Sequence, residues 1–194
     1  MTDSATLGGA TRRQIISAAV RLIADHGYAA TSVDEIAEAA GVAKGSVYYN
    51  FGSKSELFAA VLAEGVTRLS QGLRGALEAA AGRPPLEALA EELLREVHDH
   101  PDFAKVLTAE VFRTGRDWQD SIRLVHDDAM AVFTQAAAAA DPSLDGPDAE
   151  LVGSAVFGAT LVAGLEWLAF QPERMLDDVL PAILRVVAGP RPVA

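Results

Sequence analysis

The chain has 194 residues, half of them hydrophobic, with no cysteine and a formal net charge of −11. That length holds a small module and a larger one, each with its own core. The absence of cysteine excludes a disulfide framework and a thiolate zinc site. The longest uncharged apolar run lies between Glu150 and Glu166 and is 15 residues long. A membrane helix needs roughly 20. The first residues also lack the apolar stretch of a signal peptide. The expectation is a cytoplasmic protein that uses no membrane.

In chain order, residues 1–10 are small and polar and are expected to be disordered. A first helix is predicted over 11–25, with Ile15, Ile16, Ala19, Val20, Leu22 and Ile23 as its apolar stripe and His26-Gly27 as its end. A short helix follows with clear end signals. Ser32 and Glu35 fit a capping box. Val33, Ile36, Ala37 and Ala40 make one apolar face, and Gly41 suits a left-handed helix stop. The next short helix, about 44–50, carries Lys44, Ser46, Tyr48 and Tyr49 and has little apolar surface beyond Val47 and Phe51. Two short helices joined by a glycine turn are a helix-turn-helix, whose second helix enters the DNA major groove. Ser53 and Glu56 fit a second capping box that opens a long helix to about residue 81.

The run Thr31 to Ala37, Gly41-Val42, Lys44-Gly45, Tyr48-Tyr49, Phe51 and Ser53-Lys54 resembles the N-terminal DNA-binding domain of the tetracycline-repressor (TetR) family. The likeness covers about residues 11–55. The rest of the chain matches only in length and helical character. One departure is Ala43, where many members place Ser or Thr ahead of the recognition helix, so a weaker cap is implied there. The resemblance implies an all-α protein of about nine helices, with a helix-turn-helix domain over 11–55 and a helical ligand-binding and dimerisation body over 56–194.

Within that motif the residue chemistry assigns roles. Lys44 and Lys54 lie at helix starts and suit phosphate oxygens. Thr31 can donate its hydroxyl to a phosphate, or make a local turn bond instead. Ser46 and Tyr48 suit base edges, and Gly45 lets backbone approach backbone. Tyr49 suits a phosphate, the alternative being that one of the two tyrosines covers the domain core. Arg12 and Arg13 can reach DNA or simply form a solvated helix start. The charge is segregated: residues 1–54 hold five basic and five acidic side chains, so the whole negative excess lies in residues 55–194. An acidic body is held away from phosphate while local cations make the contacts.

Further helices are predicted over 86–98, from Pro101 to about Gly115, over 117–140, over 148–170, and from Pro172 to about residue 188 with Pro181 inside it. The helix over 148–170 holds Gly153, Gly158 and Gly164. Each glycine costs about 1 kcal/mol of helix propensity against alanine, which implies that other helices press closely on it. In the resembled family the last two helices pair with their copies. Gly153, Gly158, Gly164, Leu180 and Leu184 are therefore the candidate dimer interface, the alternative for the glycines being close packing within one subunit. Phe103, Phe112, Trp118, Ile122, Met130, Phe133, Phe157 and Trp167 are candidate walls of an effector cavity, the alternative being ordinary core.

His98-Asp99-His100 does not put two ligands on one helix face, and no metal, cofactor or catalytic constellation is read anywhere. The functional expectation is a dimeric regulator that binds a palindromic operator. A small molecule, apolar or cationic, is expected to release it, and the resemblance to the TetR family implies that it does so by moving the fourth helix. The alternatives are an activator or architectural DNA binder without a ligand, and, as the remotest, an all-helical enzyme.

Overall fold

The computed structural model describes residues 3–80, 82–110 and 119–187. Among these residues every regular element is helical. The helices are α1 Asp3–His26, α2 Val33–Ala39, α3 Lys44–Phe51, α4 Lys54–Ala79, α5 Pro85–Asp99, α6 Pro101–Glu110, α7 Gln119–Ala140, α8 Gly146–Phe170 and α9 Leu176–Val187. The all-α expectation is met and the helix boundaries fall close to those predicted. At the N-terminus the helix begins eight residues earlier than expected, because nothing between Asp3 and Thr11 stops it: there is no proline, and Ala5, Leu7 and Ala10 offset the cost of Gly8 and Gly9. The start of α8 also differs. Asp145 caps it, its side chain accepting from the Asp148 N–H at 3.0 Å, and Pro147 occupies the first turn, where its missing N–H costs nothing.

The chain forms two compact units. Residues 1–65 and 105–123 make the first, and residues 66–104 and 124–194 the second. These limits differ from the expected division at residue 55. α4 is one continuous helix whose N-terminal half belongs to the first unit and whose C-terminal half belongs to the second, so no break in the sequence marks the change.

The first unit is built on α1, α2, α3 and the start of α4. Ile15, Ala19, Ile36, Val47, Phe58 and Leu62 are completely or almost completely buried in it. At about 25 cal/mol per Å² of apolar surface removed from water, each of these side chains larger than alanine contributes on the order of 2 kcal/mol. Arg12 ties α1 to α4: its guanidinium donates to Glu64 Oε2 at 2.8 Å and lies 5.1 Å over the Phe51 ring. That is a different use from either the DNA contact or the solvated helix start considered for it.

In the second unit α5 packs against α8 and α9, and α8 against α9. One apolar core gathers Leu69 and Leu73 of α4, Leu89, Leu93 and Val97 of α5, Val132, Phe133 and Ala136 of α7, and Val156 and Leu161 of α8. The alanines near the end of α7 are more than good helix formers. Ala136 and Ala137 are buried, and their small side chains let the helices approach. α8 itself is long and apolar enough to cross a membrane by length and composition, although a third of that stretch is buried in the fold. Its buried face holds Gly153, Val156, Thr160, Gly164 and Trp167, while Leu151, Val162 and Phe170 stay exposed. α9 and the turn before it expose Met175 and Val186 as well.

Candidate nucleic-acid interface

The helix-turn-helix is fixed by its end groups. Ser32 Oγ accepts from the Glu35 N–H at 3.2 Å, and the Ser32 N–H donates to Glu35 Oε2 at 2.7 Å, so the predicted capping box is complete. Hydrogen bonding to the carboxylate from the Ser32 backbone N–H, and then from its side chain, holds the Glu35 carboxyl below the usual carboxylate range. Gly41 sits at φ 67°, a conformation costly for a residue with a Cβ, and it turns the chain from α2 into α3. α3 begins at Ala43 with no side-chain cap, as the missing hydroxyl implies. Ser53 caps α4, its Oγ accepting from the Glu56 N–H at 3.1 Å.

α3 divides cleanly into two faces. Val47 and Phe51 point into the core, while Tyr48 is about half exposed and Tyr49 is 91% exposed. Neither tyrosine covers the core. Ser46 is partly exposed, and Gly45 is open, with nothing within 4 Å of where a Cβ would stand. A helix held by two apolar anchors and showing two aromatic rings, a hydroxyl, a lysine and a bare backbone suits groove docking.

The cations of this unit have partners of different kinds. Lys44 Nζ donates to Asp34 Oδ2 of α2 at 2.8 Å, and that bond and charge raise the pKa of the ammonium. The Lys54 ammonium lies 4.2 Å over the Tyr28 ring, and partial burial lowers its pKa, while Glu35 acts in the opposite sense. Thr31 corrects the sequence expectation. It is buried, and its hydroxyl donates to the Gly27 carbonyl at 3.0 Å and reaches the Leu22 carbonyl at 3.3 Å. The local bond is formed because the side chain itself is buried and a buried hydroxyl needs an acceptor, which the Gly27 carbonyl four residues back supplies. Asp34 and Tyr28 were not singled out in the sequence. One pairs across ten residues and the other is a lone aromatic in a turn, and neither pattern carries a signal.

In the second unit the glycine expectation splits. A Cβ on Gly153 would stand 2.9 Å from the Phe133 carbonyl carbon and the Thr134 nitrogen of α7. A Cβ on Gly164 would stand 3.0 Å from Val97 and 3.2 Å from Leu94 of α5. Both glycines are buried within their own chain, so they serve internal packing, in place of the interface expected for them. Gly158 differs: it is partly exposed and faces open space. Leu180 and Leu184 are partly exposed on α9.

The expected cavity walls are distributed as follows. Phe133 is fully buried and meets Phe157 edge to face at 5.5 Å, and Met130 packs against the same core. Trp167 stacks on His98 at 5.5 Å and donates its indole N–H to the Arg174 carbonyl at 3.0 Å. Phe103 lies under the Arg68 guanidinium at 5.4 Å. Phe112, Trp118 and the side chain of Ile122 lie outside the described residues. An open cleft of about 310 Å³ does occur in this unit, but elsewhere. Gly72, Ala76 and Ala79 of α4 floor it, and Arg83, Glu91 and Arg95 line its polar side. Glu91 accepts from both arginines. No group of three metal-binding side chains occurs among the described residues.

Residues 15–61 match the family model described as bacterial regulatory proteins, tetR family. This is the segment that builds the second half of α1, α2, α3 and the start of α4. Over this segment the chain is similar to the DNA-binding domain of TetR-family regulators. Over 102 residues it is 32% identical to the HTH-type transcriptional regulator YerO of Bacillus subtilis, an alignment covering 51% of this chain and 35% of that one. The chain spans about a third or less of the length of the curated relatives it matches first. The likeness in fold extends much further. The fatty acid degradation regulator FadR from Bacillus halodurans superposes with a TM-score of 0.77 at 23% identity, covering 91% of this chain and 97% of that one. The transcriptional regulator FadR from Bacillus subtilis, in complex with stearoyl-CoA, does so with a TM-score of 0.73 at 21% identity, covering 90% and 96%. The all-helical class, with an N-terminal helix-turn-helix and further helices after it in the chain, is therefore as expected from the sequence.

Proposed function

We propose that this protein is a cytoplasmic transcription regulator of the TetR type, and no enzyme, that holds a palindromic operator as a homodimer and releases it when a small molecule binds the second unit. The observation that carries the reading is the outer face of α3. Tyr48, Tyr49 and Lys44 project from a helix anchored on its other side by Val47 and Phe51. Lys44, Lys54 and Tyr49 contact phosphates, while Ser46, Tyr48 and the Gly45 backbone meet base edges. On reaching DNA, Lys44 exchanges the Asp34 carboxylate for a phosphate.

The dimer reading rests on α8 and α9. A helix that is apolar all round is ordinarily buried all round, yet α8 leaves Leu151, Val162 and Phe170 in water, and Met175 and Val186 lie exposed close by in the chain. Large exposed apolar groups of this kind mark an interaction surface. A second copy supplies the cover and places two recognition helices one DNA turn apart, about 34–36 Å.

The effector reading rests on the family and on the fold. Expected ligands are apolar or cationic molecules held between the helices of the second unit. A solved structure of the same fold holds stearoyl-CoA, so an acyl-CoA thioester is the second class to try. The effector shifts the equilibrium only by its preference for the state that cannot grip DNA.

The test is operator selection from a random duplex pool, followed by gel retardation with wild type and with the Lys44→Ala, Ser46→Ala, Tyr48→Ala triple variant. Wild type should select a palindrome and the variant should lose it. Equal retardation of the palindrome by both proteins overturns the assignment of α3. Candidate effectors are then titrated while operator release and the fluorescence of Trp118 and Trp167 are followed together. If no compound class gives release, a ligand-independent DNA binder is the better account.

A further inference from the structure

Tyr28 lies in the turn between α1 and α2 and belongs to no helix. Its ring has two neighbours from α4. It meets the ring of Phe58 at 4.8 Å with a 43° tilt, and Phe58 is fully buried. The Lys54 ammonium lies 4.2 Å from the ring centroid. Lys54 and Phe58 are four residues apart on α4, so they lie on one face of that helix, one turn apart. The core fixes Phe58, Phe58 fixes Tyr28, and the Tyr28 ring holds the lysine head.

The kind of partner matters. Lys44 is held by a carboxylate, which neutralises it and must be given up before a phosphate can take its place. An aromatic face attracts a cation through its quadrupole and carries no net charge. It orders the Lys54 side chain while leaving the full positive charge in place. An ammonium has three donors, so those turned away from the ring remain open to an acceptor. A free lysine loses rotamer entropy when it binds a phosphate. A lysine already seated on a ring has lost much of it on folding.

From this geometry we infer that Tyr28 is a positioning residue for DNA binding: its ring holds the Lys54 ammonium, still charged, where a backbone phosphate of the duplex meets it. The inference rests on the reading of this unit as DNA-binding and of Lys54 as a phosphate contact.

The phosphate contact is independent of sequence, so the probe is a fluorescein-labelled random duplex, followed by anisotropy over a series of KCl concentrations with the full-length protein. Lys54→Ala should lower the slope of log affinity against log salt by about 0.9, the value for one phosphate. Tyr28→Leu keeps an apolar contact with Phe58 but removes the π face, and should weaken binding about two- to fivefold at low salt. Tyr28→Phe keeps the ring and should bind like wild type. In the Lys54→Ala background, Tyr28→Leu should have no further effect.

The inference is overturned if Tyr28→Leu binds normally, or if its effect adds fully to that of Lys54→Ala. It is also overturned if Tyr28→Phe is as weak as Tyr28→Leu, since the hydroxyl would then be the active group. A measurement on wild type needs no variant to fold. The Lys54 ε-methylene protons should show an upfield ring-current shift in NMR that survives addition of the duplex, and loss of that shift on binding overturns the inference. If Lys54→Ala leaves the slope unchanged while Lys44→Ala lowers it, Lys54 is no phosphate contact and the inference fails alone. If neither variant lowers it, the DNA reading itself fails.

Discussion

Two glycines in helices should respond with opposite sign to the same substitution, because their surroundings differ. Gly→Ala in a helix gains about 1 kcal/mol in propensity. At Gly75 of α4 nothing stands within 4 Å of the new methyl group, so Gly75→Ala should keep most of that gain. At Gly153 the methyl would stand 2.9 Å from the Phe133 carbonyl carbon and the Thr134 nitrogen, and 3.1 Å from the Phe133 oxygen. These are backbone atoms, which cannot rotate aside as a side chain can. α7 must shift, and Phe133, fully buried and packed edge to face on Phe157, must shift with it. Overpacking of this kind costs about 1–3 kcal/mol. Set against the propensity gain, Gly153→Ala should destabilise by about 1 kcal/mol, leaving the two variants about 2 kcal/mol apart. For a chain of this size each kcal/mol moves Tm by about 2–4 °C. The assay is thermal and urea unfolding of the three proteins at one protein concentration, since a dimer links stability to concentration. If Gly153→Ala is as stable as Gly75→Ala, the close approach of α7 and α8 is refuted.

Other substitutions probe the remaining sites. Gly158→Arg places a charge on the open face of α8 and should yield monomers by light scattering and abolish operator retardation with the fold intact. A dimer that persists would move the interface elsewhere. Asp34→Asn removes the partner of Lys44 and should strengthen binding to random duplex, whereas Lys44→Ala should weaken it and lower the salt slope by about 0.9; unchanged affinity in Asp34→Asn would show that the pair does not compete with phosphate. The capping box should be sensitive to acid. Glu35 is held below the ordinary carboxylate range by Ser32, so its contribution is complete above that range and is lost as pH falls through the lower folded value. The Tm gap between wild type and Glu35→Ala should therefore narrow on acidification, and a constant gap would remove the carboxylate from the cap. Thr31→Val should lower Tm, because the buried Thr31 side chain loses its hydrogen bond to the Gly27 carbonyl, yet leave the salt slope of DNA binding unchanged. A fall in slope would restore Thr31 as a phosphate contact.

The sequence by itself determined the local structure of the DNA-binding segment and the all-helical class. Ser32 with Glu35, Gly41, Ser53 and the apolar spacing of α1 are signals between residues within a few positions of each other, and such signals act whatever the rest of the chain does. The same locality placed Lys44, Ser46, Tyr48 and Tyr49 on one short helix. Only the tertiary structure decided what those side chains face. Thr31 proved to be an internal donor, Lys44 the partner of Asp34, Lys54 the occupant of the Tyr28 ring, and Arg12 a brace between α1 and α4. Composition recorded that α8 is rich in glycine, but Gly153 and Gly164 press on α7 and α5 within the chain and Gly158 does not. That difference depends on which helix crosses at which turn. The division of α4 between two units was equally invisible, since a helix can leave one core and enter another without any change in its own hydrogen bonds. Contacts between residues far apart in the chain depend on how the helices pack, and no local pattern of residue types encodes that.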